Sequence, residues 1–417
     1  MLQTNTKTLA KLFNINCGTN VEFSGIYTDT RQRMDGGVFL ALIGDNFDAH
    51  NYIQKAEEMG AVAIIASRQV SSRLPVLLVK NTQDALSKIA KHHLNNIKPM
   101  AVAITGSNGK TTTKNLLANI LKLSAPTLKT AGNLNNHLGV PMTLLKLEPT
   151  HQYAVIEMGA NHLGEIKHLR ELVQPDVAVV TNTGDAHIGE FGSKENLISA
   201  KGEIYSVDSQ NITNTNTNYT ADLSFGNDGD VFASNIHESN FTLNIKEKNI
   251  DVSLQLIGKH NIDNALAASA CAHALGIDID QIKLGLENTK AESGRLNTIR
   301  TEKFTLIDDT YNASPTSVKA ALETLSQYRG ELVVILGDMA ELGDEAISLH
   351  QQVGKLAKQI TANFYSFGTL SKHYQAQHFD SQQQLSDHII KNHLDSTVLV
   401  KGSRIAQLDK LITLLQK

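Results

Sequence analysis

The sequence predicts an α/β protein of three domains, with parallel sheets in the second and third. Short apolar runs typical of buried strands alternate with helical stretches through both of these domains. The chain of 417 residues is too long for one ordinary core and suggests about three domains. Polar loops follow many of the strands, at the edge where open parallel sheets bind ligands. We expect domain boundaries at 1–82, 83–297 and 298–417.

The composition excludes several classes of protein. Hydrophobic residues make up 41% of the chain and charged residues 19%, as in globular proteins. A net charge of −4 gives no reason to expect a nucleic acid or a membrane surface as partner. Cys17 and Cys271 lie far apart without metal-ligand spacing, which favours reduced thiols. With no secretory h-region and no run of 18 apolar residues, we expect a cytoplasmic protein.

The first domain contains strand patterns at 38–42, 61–66 and 76–79 and a helix pattern at 51–59, and a connecting helix is predicted at 82–95. Polar side chains cluster around its glycine-containing turns, and they suit a polar ligand such as a nucleotide diphosphate. These residues are Thr28, Asp29, Arg31, Asp48 and His50. The alternative is ordinary solvated loop polarity.

The second domain begins with a phosphate-binding pattern. An apolar strand at 101–105 leads into the turn TGSNG, and Lys110 opens a helix that runs through 121. Glycines allow backbone N–H groups to approach an anion, and a helix N-terminus adds partial positive charge. Lys110 would reach the terminal phosphates, and the Thr111 hydroxyl would bind Mg²⁺. The position five before Gly109 is Ile104 and not glycine, so this is a short variant of the P-loop, and an ordinary Gly-Asn turn is the alternative. The nucleotide-contacting residues are predicted to be Gly106, Ser107, Asn108, Gly109, Lys110, Thr111 and Thr112.

Two further strands, at 153–158 and 177–182, end in polar residues. Glu157 closes the first, and Asp185 and His187 follow the second, so all three are expected at the edge that holds the phosphate loop. A carboxylate there is a hard ligand suited to Mg²⁺. A lone strand-end carboxylate and a hydrogen-bonded loop histidine are the alternatives.

The rest of the second domain contains patterns typical of a loop, a hairpin and a helix. Residues 211–222 are rich in Asn and Thr and are predicted to be a loop between short strands. Residues 240–257 alternate between apolar and polar and indicate a hairpin or meander. A helix is expected from about 258, with Asn261 and Asn264 on one face. Helix capping is the alternative role for these asparagines.

The third domain has strand patterns at 304–309, 331–337 and 397–403, and a further one within 361–368. Helical stretches between them predict a second doubly wound, Rossmann-like sheet. Polar residues again follow the strands, among them Asp309, Tyr311, Asn312, Asp338, Lys401 and Ser403.

Together these segments resemble the Mur ligases. The similarity rests on TGSNGKTTTK, GNLNNHLGVPMTLL, IEMGANHLGEI, VTNTGDAHIGEFGS, AKGEI, GKHNIDNALAA, DDTYNASPTS and GDMAELG, whose order and spacing cover the second and third domains. The elements EMG, YNASP and DMAELG are similar to the member that joins D-alanyl-D-alanine to UDP-N-acetylmuramoyl-tripeptide. Near the N-terminus, TDTRQ and GDNFDAHNYI are similar to the UDP-binding domain of that member.

The resemblance implies an ATP-dependent, peptide-bond-forming ligase that works through an acyl phosphate, with a UDP-sugar domain, an ATP and Mg²⁺ domain and a closing third domain. Its substrates would be small molecules, and we expect a monomer. It implies that Lys110, Glu157, His187 and Lys201 are catalytic, and that Thr111, Glu157, His187 and Lys201 bind metal. Asn261, Asn264, Arg295 and Asp309 would contact ATP, whereas Asn133, Asn135 and Asn136 would meet the muramoyl peptide. Tyr311, Asn312, Asp338, Lys401 and Ser403 would hold D-alanyl-D-alanine or close the site.

Lys201 matches the family lysine that is carbamylated. A carbamate is an oxygen-bearing anion suited to a hard metal, but an unperturbed lysine has only about 0.1% neutral amine near pH 7.5. Carbamylation therefore needs a lowered pKa or capture of the product by a metal. Without the resemblance, Lys201 would be interpreted as a solvated helix lysine.

One departure and three alternatives remain open at this stage. The segment after KGSR reads IAQLDKL and has Asp409 near its end, where the family pattern has a glutamate. A folylpolyglutamate synthase shares the chemistry, but it is not expected to carry the N-terminal UDP-sugar domain. Other Mur ligases that add single amino acids are disfavoured by DDTYNASPTS and DMAELG. A regulatory protein that kept the fold and lost catalysis is disfavoured because Lys110, Glu157, His187 and Lys201 are all present.

Overall fold

A computed structural model describes residues 2–44, 46–184 and 188–417. The chain divides into two compact units. The first comprises Met1–Ala103, Ala125–Gly159 and Lys167–Asp176. The second comprises Ile104–Ser124, Ala160–Ile166 and Val177–Lys417.

The N-terminal part of the first unit is built on a four-stranded parallel sheet. Its strands, in spatial order, are Ile26–Tyr27, Val38–Leu40, Ala63–Ala66 and Val76–Leu78. Two antiparallel pairs accompany it, Gln3–Asn5 with Glu22–Ser24 and Ile43–Gly44 with Phe47–Asp48. The strands predicted at 38–42, 61–66 and 76–79 are therefore present, each trimmed by one or two residues.

A second sheet is mixed and has nine strands. Its order is Thr127–Lys129, Tyr153–Glu157, Met100–Thr105, Val177–Val180, Gln210–Asn214, Leu223–Phe225, Val231–His237, Asn240–Ile245 and Lys248–Ser253. Asn240–Ile245 and Lys248–Ser253 pair as an antiparallel hairpin, which confirms the pattern at 240–257.

The prediction of a loop at 211–222 is wrong for its first four residues. Gln210–Asn214 is a strand that pairs in parallel with Val177–Val180 and Leu223–Phe225. Ile212, Thr213 and Asn214 are buried in it. Local composition disfavours a strand here, but burial between two neighbouring strands outweighs that weak preference.

The third sheet has six strands. Their order is Asn297–Arg300, Phe304–Asp309, Ser396–Lys401, Leu332–Gly337, Phe364–Phe367 and Gln377–Phe379. The first pair is antiparallel and the others are parallel. Val334 and Leu336 belong to one hydrophobic cluster, whereas Val333 and Ile335 belong to another. Because successive side chains of a strand point to opposite faces, both faces of this sheet are covered, as predicted.

Helices connect the strands. They are Thr6–Phe13, Ile53–Glu58, Thr82–Ile97, Lys110–Lys122, Gly139–Leu144, Glu165–Val173, Ile188–Phe191, Lys194–Gly202, Lys259–Ala274, Ile279–Glu287, Pro315–Leu325, Ala346–Ile360, Gln382–Asn392 and Asp409–Leu415. Local chemistry starts several of them: Asn81 accepts bonds from the first turn of Thr82–Ile97, and Ser314 with Ser317 forms a capping box before Pro315–Leu325. In the part of the chain that is described, none of these helices has the length and apolar character needed to span a membrane.

Candidate active site

The phosphate loop follows the strand Met100–Thr105, which is apolar up to Ile104, and opens into the helix Lys110–Lys122. Its two glycines are required by close approach. Gly106 has φ +147°, and a Cβ there would collide with the Thr181 hydroxyl. Gly109 has φ +80°, and a Cβ there would collide with the Asn264 side chain. Because the loop packs tightly on its neighbours, only glycine fits at both positions.

Asn182 braces this loop from the end of the neighbouring strand. Its carbonyl oxygen accepts from Ser107 N at 3.0 Å, and its Oδ1 accepts from Asn108 N at 3.1 Å. Its Nδ2 and the Thr181 hydroxyl both donate to the Asn108 carbonyl, at 3.0 and 2.6 Å. Sequence reasoning noticed the segment VTNTGDAH but missed this role. Two loop amides are therefore used inside the protein, and an anion would meet the helix N-terminus, whose N-cap residue is Gly109.

Lys110 and Thr111 lie at that helix N-terminus. The Lys110 ammonium folds back over the loop and donates to the Gly106 carbonyl at 2.7 Å. The Thr111 hydroxyl is buried and accepts from the Arg295 guanidinium at 2.9 Å. A lysine, a hydroxyl and an arginine thus converge on one helix start, which is an arrangement that suits a polyphosphate.

The two asparagines of the helix Lys259–Ala274 are joined. Asn264 Nδ2 donates to Asn261 Oδ1 at 2.9 Å, and Asn261 Nδ2 donates to the Ile257 carbonyl at 2.7 Å. They share a face, as the spacing predicts, and neither is the N-cap residue of the helix, which is Gly258. Asn261 also lines a small pocket beside the phosphate loop. The pocket is lined by Thr112, Asn115, Leu256, Asn261, Thr289, Lys290, Ala291, Glu292 and Arg295.

Lys201 is buried in the helix Lys194–Gly202, with only 1% of its surface exposed. Its Nζ lies 5.1 Å from the centre of the Phe191 ring and 3.5 Å from the Ala160 carbonyl oxygen. Burial lowers the pKa of its amine to about 7, and the positive charge of Lys110 lowers this pKa further. The negative charges of Glu165 and Glu203 act in the opposite direction and raise it. The interpretation as a solvated helix lysine is therefore wrong. A buried amine that is largely neutral near pH 7.5 is a nucleophile.

In the first compact unit, Glu157 ends its strand and is 2% exposed. Its Oε1 accepts from Asn135 Nδ2 at 2.9 Å, and its backbone N–H donates to the Thr130 hydroxyl. Asn133 accepts a backbone bond from Asn135 through its carbonyl. Asn136 Oδ1 accepts from Gly139 N at 2.8 Å, at the start of the next helix. The structure thus places one of the three predicted peptide-contacting asparagines directly on Glu157.

The polar residues of the N-terminal sheet form two local pairs. Arg31 donates to both oxygens of Asp29, and this bond lowers the pKa of the carboxyl group. His50 is buried, with Nδ1 2.6 Å from Asp48 Oδ1 and Nε2 accepting from Ser67 N at 3.0 Å. Both ring nitrogens are thus engaged inside the protein. Thr28 is half-buried.

In the third sheet, two predicted site residues form an ion pair. Lys401 Nζ lies 2.7 Å from Asp309 Oδ2 and donates to the Asn312 carbonyl at 2.8 Å. Tyr311 stacks beneath the Arg295 guanidinium, whose Cζ is 3.9 Å from the ring centre.

Asp338 and Ser403 also engage other protein groups. The Asp338 carboxylate accepts from the backbone N–H groups of Thr369 and Ser371. Ser403 donates its hydroxyl to the Asp338 carbonyl at 2.5 Å.

His187, together with Asp185, lies outside the described residues. Asp409 starts the last helix, and one of its oxygens lies 3.2 Å from Arg404.

The comparisons with known proteins agree with this architecture. Residues 104–272 match the Mur ligase middle domain, and residues 294–404 match the Mur ligase glutamate ligase domain. The UDP-N-acetylmuramoyl-tripeptide–D-alanyl-D-alanine ligase of Escherichia coli K12 is 39% identical, with 96% of this chain and 95% of that protein aligned. The enzyme of the same name from Bacillus subtilis is 33% identical over 93% of this chain and 92% of its own.

Solved structures give the same result. A crystal structure of MurF from Acinetobacter baumannii superposes with a TM-score of 0.94 at 36% identity, covering 100% of this chain and 99% of that one. The MurF ligase of Thermotoga maritima in complex with ADP has a TM-score of 0.86 at 28% identity, covering 94% and 97%. With an α/β fold built on parallel sheets and near-complete alignment to these enzymes, the chain belongs to the Mur ligase family, in the branch of the UDP-N-acetylmuramoyl-tripeptide–D-alanyl-D-alanine ligases.

Proposed function

We propose that this chain is the ATP-dependent ligase that joins D-alanyl-D-alanine to UDP-N-acetylmuramoyl-tripeptide and so completes the pentapeptide precursor of peptidoglycan. The observation that carries the proposal is 39% identity to an enzyme of that name over 96% of the chain, combined with a phosphate loop whose glycines, lysine and threonine are in place. The ADP complex of the Thermotoga maritima relative supports the use of ATP.

The reaction has two steps. A carboxylate oxygen of the tripeptide attacks the γ-phosphorus of ATP, the bond to the bridging oxygen breaks, and ADP leaves. The amine of D-alanyl-D-alanine then attacks the acyl carbon of the acyl phosphate, phosphate leaves, and the new amide nitrogen loses a proton. The first step brings two anions together, so the protein must neutralise charge and hold the reactants in line.

The second compact unit supplies the groups for the first step. Lys110 is proposed to release the Gly106 carbonyl and bind the terminal phosphates, with Arg295 beside it at Thr111. Asn261 would contact the adenine in the pocket beside the loop, and Asp309 would contact the ribose. Gly106, Ser107, Asn108, Gly109 and Thr112 would shape the cradle.

The donor chemistry of the predicted ligands suits Mg²⁺. Thr111 and Glu157 offer buried hard oxygen atoms, and a carbamate on Lys201 would add another. Bound Mg²⁺ would neutralise phosphate charge. Within residues 2–44, 46–184 and 188–417, no three His, Cys, Asp or Glu residues are grouped closely enough to hold a metal ion. The predicted set instead relies on a threonine and a modified lysine, with His187 as its histidine.

Carbamylation of Lys201 is supported by its surroundings. With a pKa of about 7, roughly three quarters of the amine is neutral near pH 7.5, against about 0.1% for an ordinary lysine. Carbon dioxide reacts with the neutral amine, so burial raises the reactive population several hundredfold. The positive charge of Lys110 disfavours a second cation at Lys201, and the carbamate anion would offset that charge.

The remaining predicted contacts stay proposals. Residues 1–82, 83–297 and 298–417 are proposed as the UDP-sugar, ATP and closing domains. The UDP-sugar would be held by Thr28, Asp29, Arg31, Asp48 and His50, and the muramoyl peptide by Asn133, Asn135 and Asn136. Asn312, Asp338, Lys401 and Ser403 would hold the dipeptide or close the site, whereas Tyr311 lies against the Arg295 guanidinium. A UDP-linked substrate and ATP favour a cytoplasmic enzyme that serves cell-wall synthesis, and hence cell shape and division. We propose that it acts as a monomer.

The test is phosphate release from ATP and Mg²⁺ with UDP-N-acetylmuramoyl-tripeptide, with and without D-alanyl-D-alanine. We expect release that requires both substrates, and the pentapeptide product by mass spectrometry. Lys110→Ala should abolish turnover, because roughly 3 kcal/mol or more of transition-state stabilisation is lost. Turnover with a folate and glutamate in place of these substrates, or wild-type rates in Lys110→Ala, would refute the proposal.

A further inference from the structure

Arg295 is held between two groups. Its Nη2 donates to the Thr111 hydroxyl at 2.9 Å, and its Cζ lies 3.9 Å from the centre of the Tyr311 ring. Only 25% of its side chain is exposed. A guanidinium stacked on an aromatic face loses fewer orientations when it binds an anion than one that moves freely. Stacking on Tyr311 should therefore strengthen the binding of an anion by Arg295.

The backbone keeps Tyr311 next to Arg295. Tyr311 N donates to the carbonyl of Gly294, the residue before Arg295, at 3.0 Å. Gly294 has φ +78°, and a Cβ there would lie 3.1 Å from both the Cβ and the N of Tyr311. A glycine is thus needed for the two segments to approach this closely.

A buried carboxylate ties the same two segments together. Asp308 is 2% exposed, and its Oδ2 accepts from Gly294 N at 2.7 Å and from the Ser293 hydroxyl at 3.2 Å. Its Oδ1 accepts from Thr310 N at 3.3 Å and from the Thr310 hydroxyl at 2.7 Å. Asp308 thus fixes the segment that precedes Arg295 to the segment that carries Tyr311.

We propose that Tyr311 is a positioning residue for Arg295, held there by Gly294 and Asp308, and that it acts on nucleotide binding. The inference rests on the proposed ATP site and assigns Tyr311 to the nucleotide side of the reaction rather than to the dipeptide. The ring keeps the guanidinium at the Thr111 hydroxyl, where the terminal phosphates of ATP are expected. Because Tyr311 follows the strand Phe304–Asp309 of the third sheet, the position of that sheet is coupled to the arginine that meets the phosphates.

The experiment compares Tyr311→Leu with Tyr311→Phe in the full chain. Binding of a non-hydrolysable ATP analogue with Mg²⁺ is measured by calorimetry without other substrates, and KM values are measured for ATP and for D-alanyl-D-alanine. Loss of the stacking should weaken analogue binding roughly 5- to 30-fold in Tyr311→Leu and raise the KM for ATP. Tyr311→Phe keeps the ring and should bind within about twofold of wild type. The KM for the dipeptide should not change in either variant.

A double-mutant cycle separates positioning from a structural role. Arg295→Ala alone should weaken binding, and adding Tyr311→Leu should weaken it no further. Thermal unfolding of each variant checks the fold, and Tyr311→Met replaces Tyr311→Leu if the latter does not fold. Analogue binding like wild type in the folded variant, additive effects, or a rise only in the dipeptide KM would each overturn the inference. Failure of the wild-type chain to bind the analogue would refute the proposed ATP site itself.

Discussion

Lys201 and Lys401 are both buried lysines of the second compact unit, with 1% and 2% exposure, but their surroundings differ. Lys401 lies 2.7 Å from the Asp309 carboxylate and donates to a carbonyl. Lys201 lies near the Phe191 ring and 3.5 Å from a carbonyl, and burial lowers the pKa of its amine to about 7. The comparison shows that burial alone does not decide the role of a lysine. Lys401 has a carboxylate as its close partner, whereas desolvation favours the neutral, reactive amine at Lys201.

The largest expected effect is on the activity of Lys201 variants. Lys201→Ala should lower kcat by roughly 10²–10³-fold, because an anion of the reacting site is lost. Formate or acetate should restore part of the activity by replacing the missing carboxylate. Lys201→Arg is the matched control, since it keeps a cation that does not form a carbamate, and carboxylates should not rescue it. Full activity of Lys201→Ala without any carboxylate would show that Lys201 is not the reactive lysine of the pair.

The next effect is on the stability of Lys401 variants. Lys401→Met leaves the buried Asp309 carboxylate without its partner, and the free energy of unfolding should fall by about 3–5 kcal/mol. Denaturant titration of the full chain measures this loss. The double variant Lys401→Met with Asp309→Asn should recover most of it. Lys201→Met provides the contrast, because removing a buried amine should leave stability unchanged or higher. Equal losses in both single variants would remove the distinction between the two lysines.

The smallest effect concerns the pH dependence of carbamate formation. Burial lowers the pKa of Lys201 from 10.5 to about 7, so the amine is cationic below pH 7 and neutral above it. The carbamate should therefore be nearly absent at pH 6 and should increase as the pH rises to 8. Carbon-13 NMR of the protein in labelled bicarbonate measures it. Lys201→Met retains Lys401 and should give no carbamate signal from a buried lysine. A signal in that variant, or one that falls as the pH rises, would contradict the assignment.

Local sequence patterns predicted many strands and helices correctly, because the formation of these elements depends largely on residues that are close together in the sequence. The strand before the phosphate loop, the helix from Lys110 and the hairpin at 240–253 follow from apolar runs, glycines and alternation. The same local reasoning failed at Gln210–Asn214, where an Asn- and Thr-rich stretch becomes a strand because partners on both sides pair with it. It also missed Asn182, which lies more than seventy residues from the loop that it braces.

The sequence by itself determined the order of elements, the phosphate loop and the resemblance to the Mur ligases, because these depend on short motifs and their spacing. The tertiary structure alone decided which polar groups meet. It paired Lys401 with Asp309, placed Tyr311 under Arg295, and buried Lys201 beside Phe191. The physical reason is that desolvation and pairing depend on atoms from distant segments. The chemistry of a lysine therefore depends on what the fold packs around it.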